Sequence, residues 1–476
     1  MSPRLRWRKF VSGFMLTMTG VCAVVAVAPL PFGSVDEMVI AFWVVLLGVV
    51  AMLAIPFKPS KPQTIFLLLA SIVVLAWGLI FHEQTSNHPW LAQDLVDPVW
   101  RQASGLLDVP LPQYVSVVRS QPFFAAGAQM VAFLSLLSGF LLGNDRAFAK
   151  SVLRTVAWSG ALYAIYAVLS FIWDPGMLLW RNKTAYTTVL TGTFINRNTA
   201  AIYFGACAIV WLLLFFKSIF GPTLRISADT HLSSLLLRDM SRRDMLSLAM
   251  FVLLMSATFM TGSRAGSVLF LLTSAGLCLF SLQKKGSGRR AVLGLLAALV
   301  LAGTILLKIA GSGVDARIGS EGLIDTARLS VYHAVLRMIV NHPWLGTGLG
   351  SFPWIFPSYR PSDISAWGIW DRAHSTPLEI AAEQGVPFAL LALGAFLTIL
   401  LTLIIGTRTR RSRKIYPVAG LLIALLSAAH SLVDFSLQIP GLTIVVFALV
   451  GVGVAQSVAA RDAAPAFSVA LEKSRK

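Results

Sequence analysis

The chain of 476 residues is 56% hydrophobic, has a mean hydropathy of +0.75, and carries charge on only 13% of its positions. Such a composition excludes an ordinary soluble enzyme, and its long uncharged runs point to one polytopic membrane bundle. The net charge of +18 does not mark a nucleic-acid binder, because the cations sit between apolar runs rather than on one compact face.

The chain opens with RLRWRKF and an apolar stretch ending in Ala26-Val27-Ala28, which looks like a signal cleavage site. Its apolar core is longer than that of a signal peptide and further apolar runs follow, so it reads as an uncleaved first span. Twelve runs of roughly 20 residues then predict spans near 10–30, 38–56, 64–82, 121–143, 152–173, 199–216, 245–261, 265–283, 291–309, 387–406, 416–436 and 441–459. Placing both termini in the cytoplasm puts most of the 39 Lys and Arg on the inner side and most acids outside, as the positive-inside rule requires. The expected architecture is all-α: a helical bundle over 1–309, a large periplasmic loop subdomain over 310–386, three closing spans over 387–459, and a cytoplasmic tail over 460–476. Cys22, Cys207 and Cys278 lie far apart inside apolar runs and form neither a disulfide framework nor a metal motif.

Two outer loops are long, 83–120 and 310–386. In the second, the periodicity over 325–341 predicts a helix with Leu329, Tyr332, Leu336, Ile339 and Val340 on one face and His333, Arg337 and Asn341 on another, stopped by His342-Pro343. Gly346, Gly348 and Gly350 in GTGLGS read as a tight turn, since no βαβ unit surrounds them. Trp344, Phe352, Trp354, Phe356, Tyr359, Trp367 and Trp370 suit either sugar stacking or an interfacial belt. Thr376-Pro377-Leu378-Glu379 has the form of a capping box, with Thr376 as N-cap and Glu379 reaching back to it, and Gly385 with Pro387 ends that short helix.

Cations on the outer side carry the chemistry. Arg264 lies between two spans with almost no loop, Arg197 opens another span, and Arg372 and His374 precede the tenth; Arg181 and Arg328 are weaker candidates. A charge at membrane depth costs about 2.5–3.5 kcal/mol on insertion scales, which favours a polar cavity over lipid. The alternative is that these arginines snorkel to headgroups. Several guanidinium forks at one rim match a diphosphate, and no local pattern gives His374 a structural role. His430 and Asp434, spaced by one helical turn, suit a packing pair as well as a site. Asp36-Glu37 is an acidic pair in a very short loop; no Walker motif, Asp-x-Asp or metal-ligand cluster is present in the sequence.

The stretches GTFINRNTAA, TGSRAG, NHPWLGTGLGSF and RAHSTPLEIAAEQGVP, in this order over roughly 190–440, resemble the O-antigen ligase and O-antigen or exopolysaccharide polymerase superfamily of bacterial inner-membrane proteins. The resemblance implies a GT-C-like helical fold and metal-independent, inverting transfer from an undecaprenyl diphosphate-linked glycan on the periplasmic face, with no cofactor. By position Arg264, Arg197 and His374 match the family's two arginines and loop histidine; Arg372 would join the diphosphate site, with Glu379, Arg328 and Arg181 in support. The family usually places asparagine after that histidine, where this chain has Ser375. The implied partners are the lipid-linked donor, a glycan or lipid A-core acceptor and membrane lipids. Polymerisation of surface polysaccharide is the leading expectation, ligation to lipid A-core follows closely, and a non-catalytic lipid-linked glycan flippase is the alternative from another class.

Overall fold

The computed structural model describes residues 3–56, 59–91, 93–224, 240–281, 326–364 and 369–459, with isolated positions 294, 297, 301 and 367. Fifteen α-helices are described: α1 (Pro3–Val27), α2 (Glu37–Ala54), α3 (Lys61–Thr85), α4 (Pro98–Leu107), α5 (Gln121–Gly143), α6 (Arg146–Trp173), α7 (Arg197–Phe220), α8 (Arg242–Met260), α9 (Arg264–Ser281), α10 (Thr326–Asn341), α11 (Phe352–Tyr359), α12 (Thr376–Gln384), α13 (Val386–Thr409), α14 (Ile415–Ser431) and α15 (Pro440–Val458). One short antiparallel hairpin pairs β1 (Met177–Leu178) with β2 (Arg181–Asn182). Among the described residues, α2, α3, α5, α6, α7, α8, α9, α13 and α15 are long and apolar enough to cross a membrane, and α1 and α14 carry shorter apolar stretches. Every expected span but one coincides with these helices; the span at 291–309 lies outside the described residues, apart from the isolated positions.

The bundle is ordered by how completely each helix is buried. The α7 helix is apolar all round and buried along nearly its whole length, as is α15, whereas α3 and α13 are scarcely buried and present leucine and isoleucine outward. In lipid no hydrophobic gain separates one helix from another, so close packing must come from small residues. Gly139 of α5 lies against the backbone of Ala448 in α15, and Gly451 of α15 lies against the backbone of α5 at Leu136 and Phe140. A Cβ at either glycine would collide with a carbonyl oxygen of the facing helix.

At one end of the bundle the turn before α2 meets the turn before α15, the segment before α7 meets the end of α8, and the segment before α5 meets the turn between α10 and α11. Gly441 N donates to Gly33 O at 2.8 Å, Leu190 N to Met260 O at 3.2 Å, and Val117 N to Thr347 O at 3.0 Å. A second, smaller core joins Val331, Ala334, Val335 and Met338 of α10 to Phe352 and Phe356 of α11 and Ala382 of α12. This corrects the expected face of α10: Leu329, Leu336 and Val340 are exposed, and the smaller residues pack inward. Apolar periodicity names the inward face only when water is the sole alternative, and a membrane protein permits a second apolar stripe. The aromatics divide in the same way, Phe352 and Phe356 stacking in the core while Trp344, Trp354 and Trp367 are exposed.

The GTGLGS turn is built as expected, with Gly346, Gly348 and Gly350 at φ of 69°, 105° and 75°. A Cβ at Gly346 would strike the Glu383 backbone, and one at Gly348 the Ser116 hydroxyl.

The α5–α15 contact makes a testable forecast. Gly139→Val should lower the stability of the detergent-extracted protein by about 1–3 kcal/mol through overpacking, while Gly48→Val, where nothing stands within 4 Å, should be neutral. Thermal unfolding of both variants checks this, and equal midpoints would refute the close-packing account.

Candidate active site

Four segments distant in sequence converge on Asp434. The α14 helix ends at Ser431, and the following turn carries Asp434 inward, 1% exposed. Its Oδ2 accepts from Asn198 Nδ2 at 2.7 Å, and its Oδ1 accepts from Ser436 Oγ at 2.6 Å. Asn198 Oδ1 in turn accepts from Ser263 Oγ at 2.8 Å. His374 Nδ1 stands 3.9 Å from Asp434 Oδ2, beyond hydrogen-bonding distance but within strong electrostatic reach.

The candidate cations attach to this network as chain neighbours. Arg197 opens α7 directly before Asn198; Asn196 caps the helix by accepting from Asn198 N at 2.7 Å. Arg264 opens α9 directly after Ser263, whose hydroxyl also accepts from Gly266 N at 3.3 Å, so one serine both starts the helix and joins the network. Arg328 on α10 donates to Val433 O at 2.8 Å, next to Asp434. Arg181 has other surroundings: it lies 4.0 Å over the Phe32 ring, 3.9 Å from Asp36 Oδ2, in a cavity of about 200 Å³ that Lys183 also lines.

His374 is fixed from several directions. Its backbone adopts φ 53°, rare for a residue with a side chain, and its carbonyl accepts from Tyr332 Oη at 3.0 Å. Trp370 and Phe435 meet the ring edge-on, at centroid distances of 5.4 and 5.2 Å. Burial would raise the Asp434 pKa, but the neighbouring His374 and His430 rings and the Ser436 hydroxyl outweigh it and hold the carboxyl down at about 2. Asp434 is therefore ionised at neutral pH. A carboxylate beside Nδ1 favours the proton on that nitrogen and leaves Nε2 as the acceptor.

Glu379 corrects the capping-box expectation. Ser375, not Thr376, is the N-cap of α12, and no side chain caps it. Glu379 instead accepts from Ala373 N at 2.8 Å and from Arg372 Nη1 at 3.3 Å. A buried carboxylate gains more from a guanidinium and a convergent N–H than from a cap that the extended Ser375 backbone already turns away. Burial opposes the Arg372 charge, but Glu379, Glu383 and Asp371 outweigh it and raise its pKa. Glu383 sits behind this pair, accepting from Gly350 N at 2.8 Å and Phe352 N at 2.9 Å. His430 and Asp434 form no ion pair among the described residues, because the helix ends between them and the Asp434 oxygens are held by Asn198 and Ser436.

Asn198, Ser263, Ser436 and Tyr332 do not stand out as site residues in the sequence. The first two lie inside the quoted motifs, directly beside the conspicuous arginines; a small polar residue at the mouth of an apolar helix is the available signal. Among the described residues no group of three or more His, Cys, Asp or Glu is placed to hold a metal ion.

Fold and site together define a polytopic membrane protein with a buried polar cluster at one end of its helices. Residues 249–393 match the family model of O-antigen ligase, and this match supports the O-antigen ligase family for the chain. It supports glycosyltransferase-like activity in surface-polysaccharide ligation or polymerisation. The matched stretch contains Arg264, Arg328, Arg372, His374 and Glu379 and leaves Arg181, Arg197 and Asp434 outside it. No curated protein matches the chain.

Burial, and then the Glu379 charge, push the Glu383 pKa up to about 8 against the opposing backbone N–H bonds. The native state therefore holds a proton that the unfolded chain releases near 4.5, and stability should fall as pH rises from that value to about 8. Glu383→Gln should flatten this slope while costing about 1–3 kcal/mol at low pH, since its amide cannot accept from both N–H groups. Thermal unfolding across pH tests both, and an unchanged slope in the variant would assign the titration elsewhere.

Proposed function

We propose that the chain transfers a glycan from an undecaprenyl diphosphate-linked donor to lipid A-core at the periplasmic face of the bacterial inner membrane, with both termini cytoplasmic. The observation that supports this reading is the Asp434 network itself, which joins the direct chain neighbours of Arg197 and Arg264, lies next to the carbonyl that Arg328 holds, and faces His374, two residues beyond Arg372. The O-antigen ligase match supports surface-polysaccharide ligation and polymerisation alike, and we take ligation first from the description of the matched family, with polymerisation, the leading expectation from the sequence, as the second reading.

In this reading Arg264, Arg197 and Arg372 hold the donor diphosphate and stabilise the charge that grows on it as the anomeric bond breaks. His374 Nε2 takes the proton from the acceptor hydroxyl as that oxygen attacks the anomeric carbon, and Asp434 keeps the ring oriented and its conjugate acid stable. Attack opposite the leaving diphosphate inverts the anomeric configuration. Arginines supply the charge stabilisation, so transfer needs no metal; the acid of the Asp36-Glu37 pair that faces a basic side chain faces Arg181. Helix-end placement of the cations favours a transferase over a flippase, which would need charges along a path through the bundle.

His374→Ala should insert normally, still bind donor, and transfer about 10²–10⁴-fold more slowly per inserted molecule. Arg264→Lys should also fail, because an ammonium cannot reproduce the bidentate fork. An in vitro assay with lipid-linked donor decides both: a histidine variant within about threefold of wild type, below that general-base range, removes His374 from the chemistry, and a fully active lysine variant removes the fork. The same assay in excess chelator should proceed undiminished; loss reversed by magnesium or manganese would reassign the charge stabilisation. In cells, deletion should leave free lipid A-core with lipid-linked polymer accumulating; single repeat units would instead identify a polymerase.

A further inference from the structure

The opposite end of the bundle holds a charge that the fold leaves uncompensated. Arg413, in the turn between α13 and α14, is 9% exposed, and its Nη2 is buried with no hydrogen-bond partner. Burial, then the charges of Arg146 and Arg410, depress its pKa. Arg146 opens α6, where the helix dipole disfavours a cation, Lys150 and Arg154 follow one and two turns on, and Lys217 at the end of α7 faces Lys150 and Arg154. Among the described residues no Asp or Glu forms an ion pair with Arg413, Arg146, Lys150 or Arg154. Asp145 lies nearby, but its Oδ1 is spent capping α6 through Phe148 N at 2.9 Å.

The neighbouring basic residues are engaged elsewhere. Arg410 donates to the carbonyls of Ser457 and Ala459 and so closes the C-terminus of α15. Lys414 lies 4.9 Å over the Phe280 ring. Arg413 caps nothing, and a buried guanidinium among like charges is costly unless an anion completes it.

We propose that Arg413, with Arg146 and the basic first turns of α6, binds the phosphate of an anionic phospholipid headgroup. A guanidinium fork matches phosphate oxygens, and basic recesses between membrane helices on the cytoplasmic side suit acidic headgroups. Arg413 in the turn between α13 and α14 and Arg146 at the start of α6 stand at helix ends, where headgroups sit, and α13 leaves Leu401 and Ile405 exposed to acyl chains.

The test uses the full-length protein in nanodiscs of phosphatidylcholine alone or doped with phosphatidylglycerol or cardiolipin. Wild type should unfold at a higher temperature in the acidic discs and retain acidic lipid in native mass spectrometry. Arg413→Gln should lose that increment and retain acidic lipid about tenfold less, yet be at least as stable as wild type in phosphatidylcholine, because a buried repulsion has gone. Arg413→Lys should keep part of the increment. An increment that survives in Arg413→Gln would overturn the site, as would a glutamine variant that is equally destabilised in every lipid, which marks an ordinary packing residue. A wild-type shift produced in detergent by inorganic phosphate alone would identify a soluble anion and overturn the lipid assignment.

Discussion

A buried, ionised carboxylate organises the site end of this protein. Taking a carboxylate out of water costs several kcal/mol unless donors replace the lost hydration, and Asp434 finds two hydrogen-bond donors and an imidazole ring around it. Asn198 comes from the mouth of α7, Ser436 from the turn before α15, and the His374 ring from the loop before α12. Ser263 extends the chain to α9 by holding the Asn198 amide in the orientation that presents Nδ2 to Asp434. The amide has one orientation because its two ends face groups of opposite need. The consequence is geometric: α7, α9, the α14–α15 turn and the loop before α12 must all dock before the network is complete, and docking brings the chain positions of Arg197 and Arg264 to the same end of the bundle.

Around that centre the loop subdomain is held by a different device. Gln84 at the end of α3 donates to Leu345 O and Glu383 O at 2.7 Å and accepts from Leu349 N at 2.9 Å. Glu383 gathers two more N–H groups of the same glycine turn. Backbone carbonyls take Gly346 N, Thr347 N, Gly348 N and Ser351 N, and side chains from α3 and α12 pair the remaining groups at Leu345 O, Leu349 N, Gly350 N and Phe352 N. Glu379, one helical turn earlier, clamps Arg372 and the Ala373 amide. The stretch that carries Arg372 and His374 is thus anchored on one side to the bundle and on the other to the glycine turn, which fixes the angle at which His374 meets Asp434.

Much of this is legible in the sequence, and what is not legible has physical causes. Spans are visible because lipid demands long apolar runs, and the loop helix α10 because its periodicity is strong. The inward face of α10 is hidden because Leu329, Leu336 and Val340 find an exposed stripe where a soluble protein would bury them. The role of Glu379 is hidden because the capping-box pattern is local, whereas its actual partners, Arg372 and Ala373 N, are fixed by the fold of the preceding loop. The arginines stand out because charge is rare in this chain. Asn198 and Ser263 do not, because a small polar residue beside a helix start is sufficiently accounted for as a cap. Asp434 pairs with His430 only if α14 extends through both, and the helix stops short of Asp434.

Ser375 shows how the network absorbs a departure from the expected pattern. The family resemblance puts asparagine after the loop histidine, and here the position is a buried serine, 3% exposed, at the start of α12 with no cap made by its side chain. Serine cannot offer an amide that donates at one end and accepts at the other. That bifunctional group is present nonetheless, on α7, where Asn198 accepts from Ser263 and donates to Asp434. Ser375 then needs only to be small and extended, with φ −151°, so that the chain can turn through the left-handed backbone of His374.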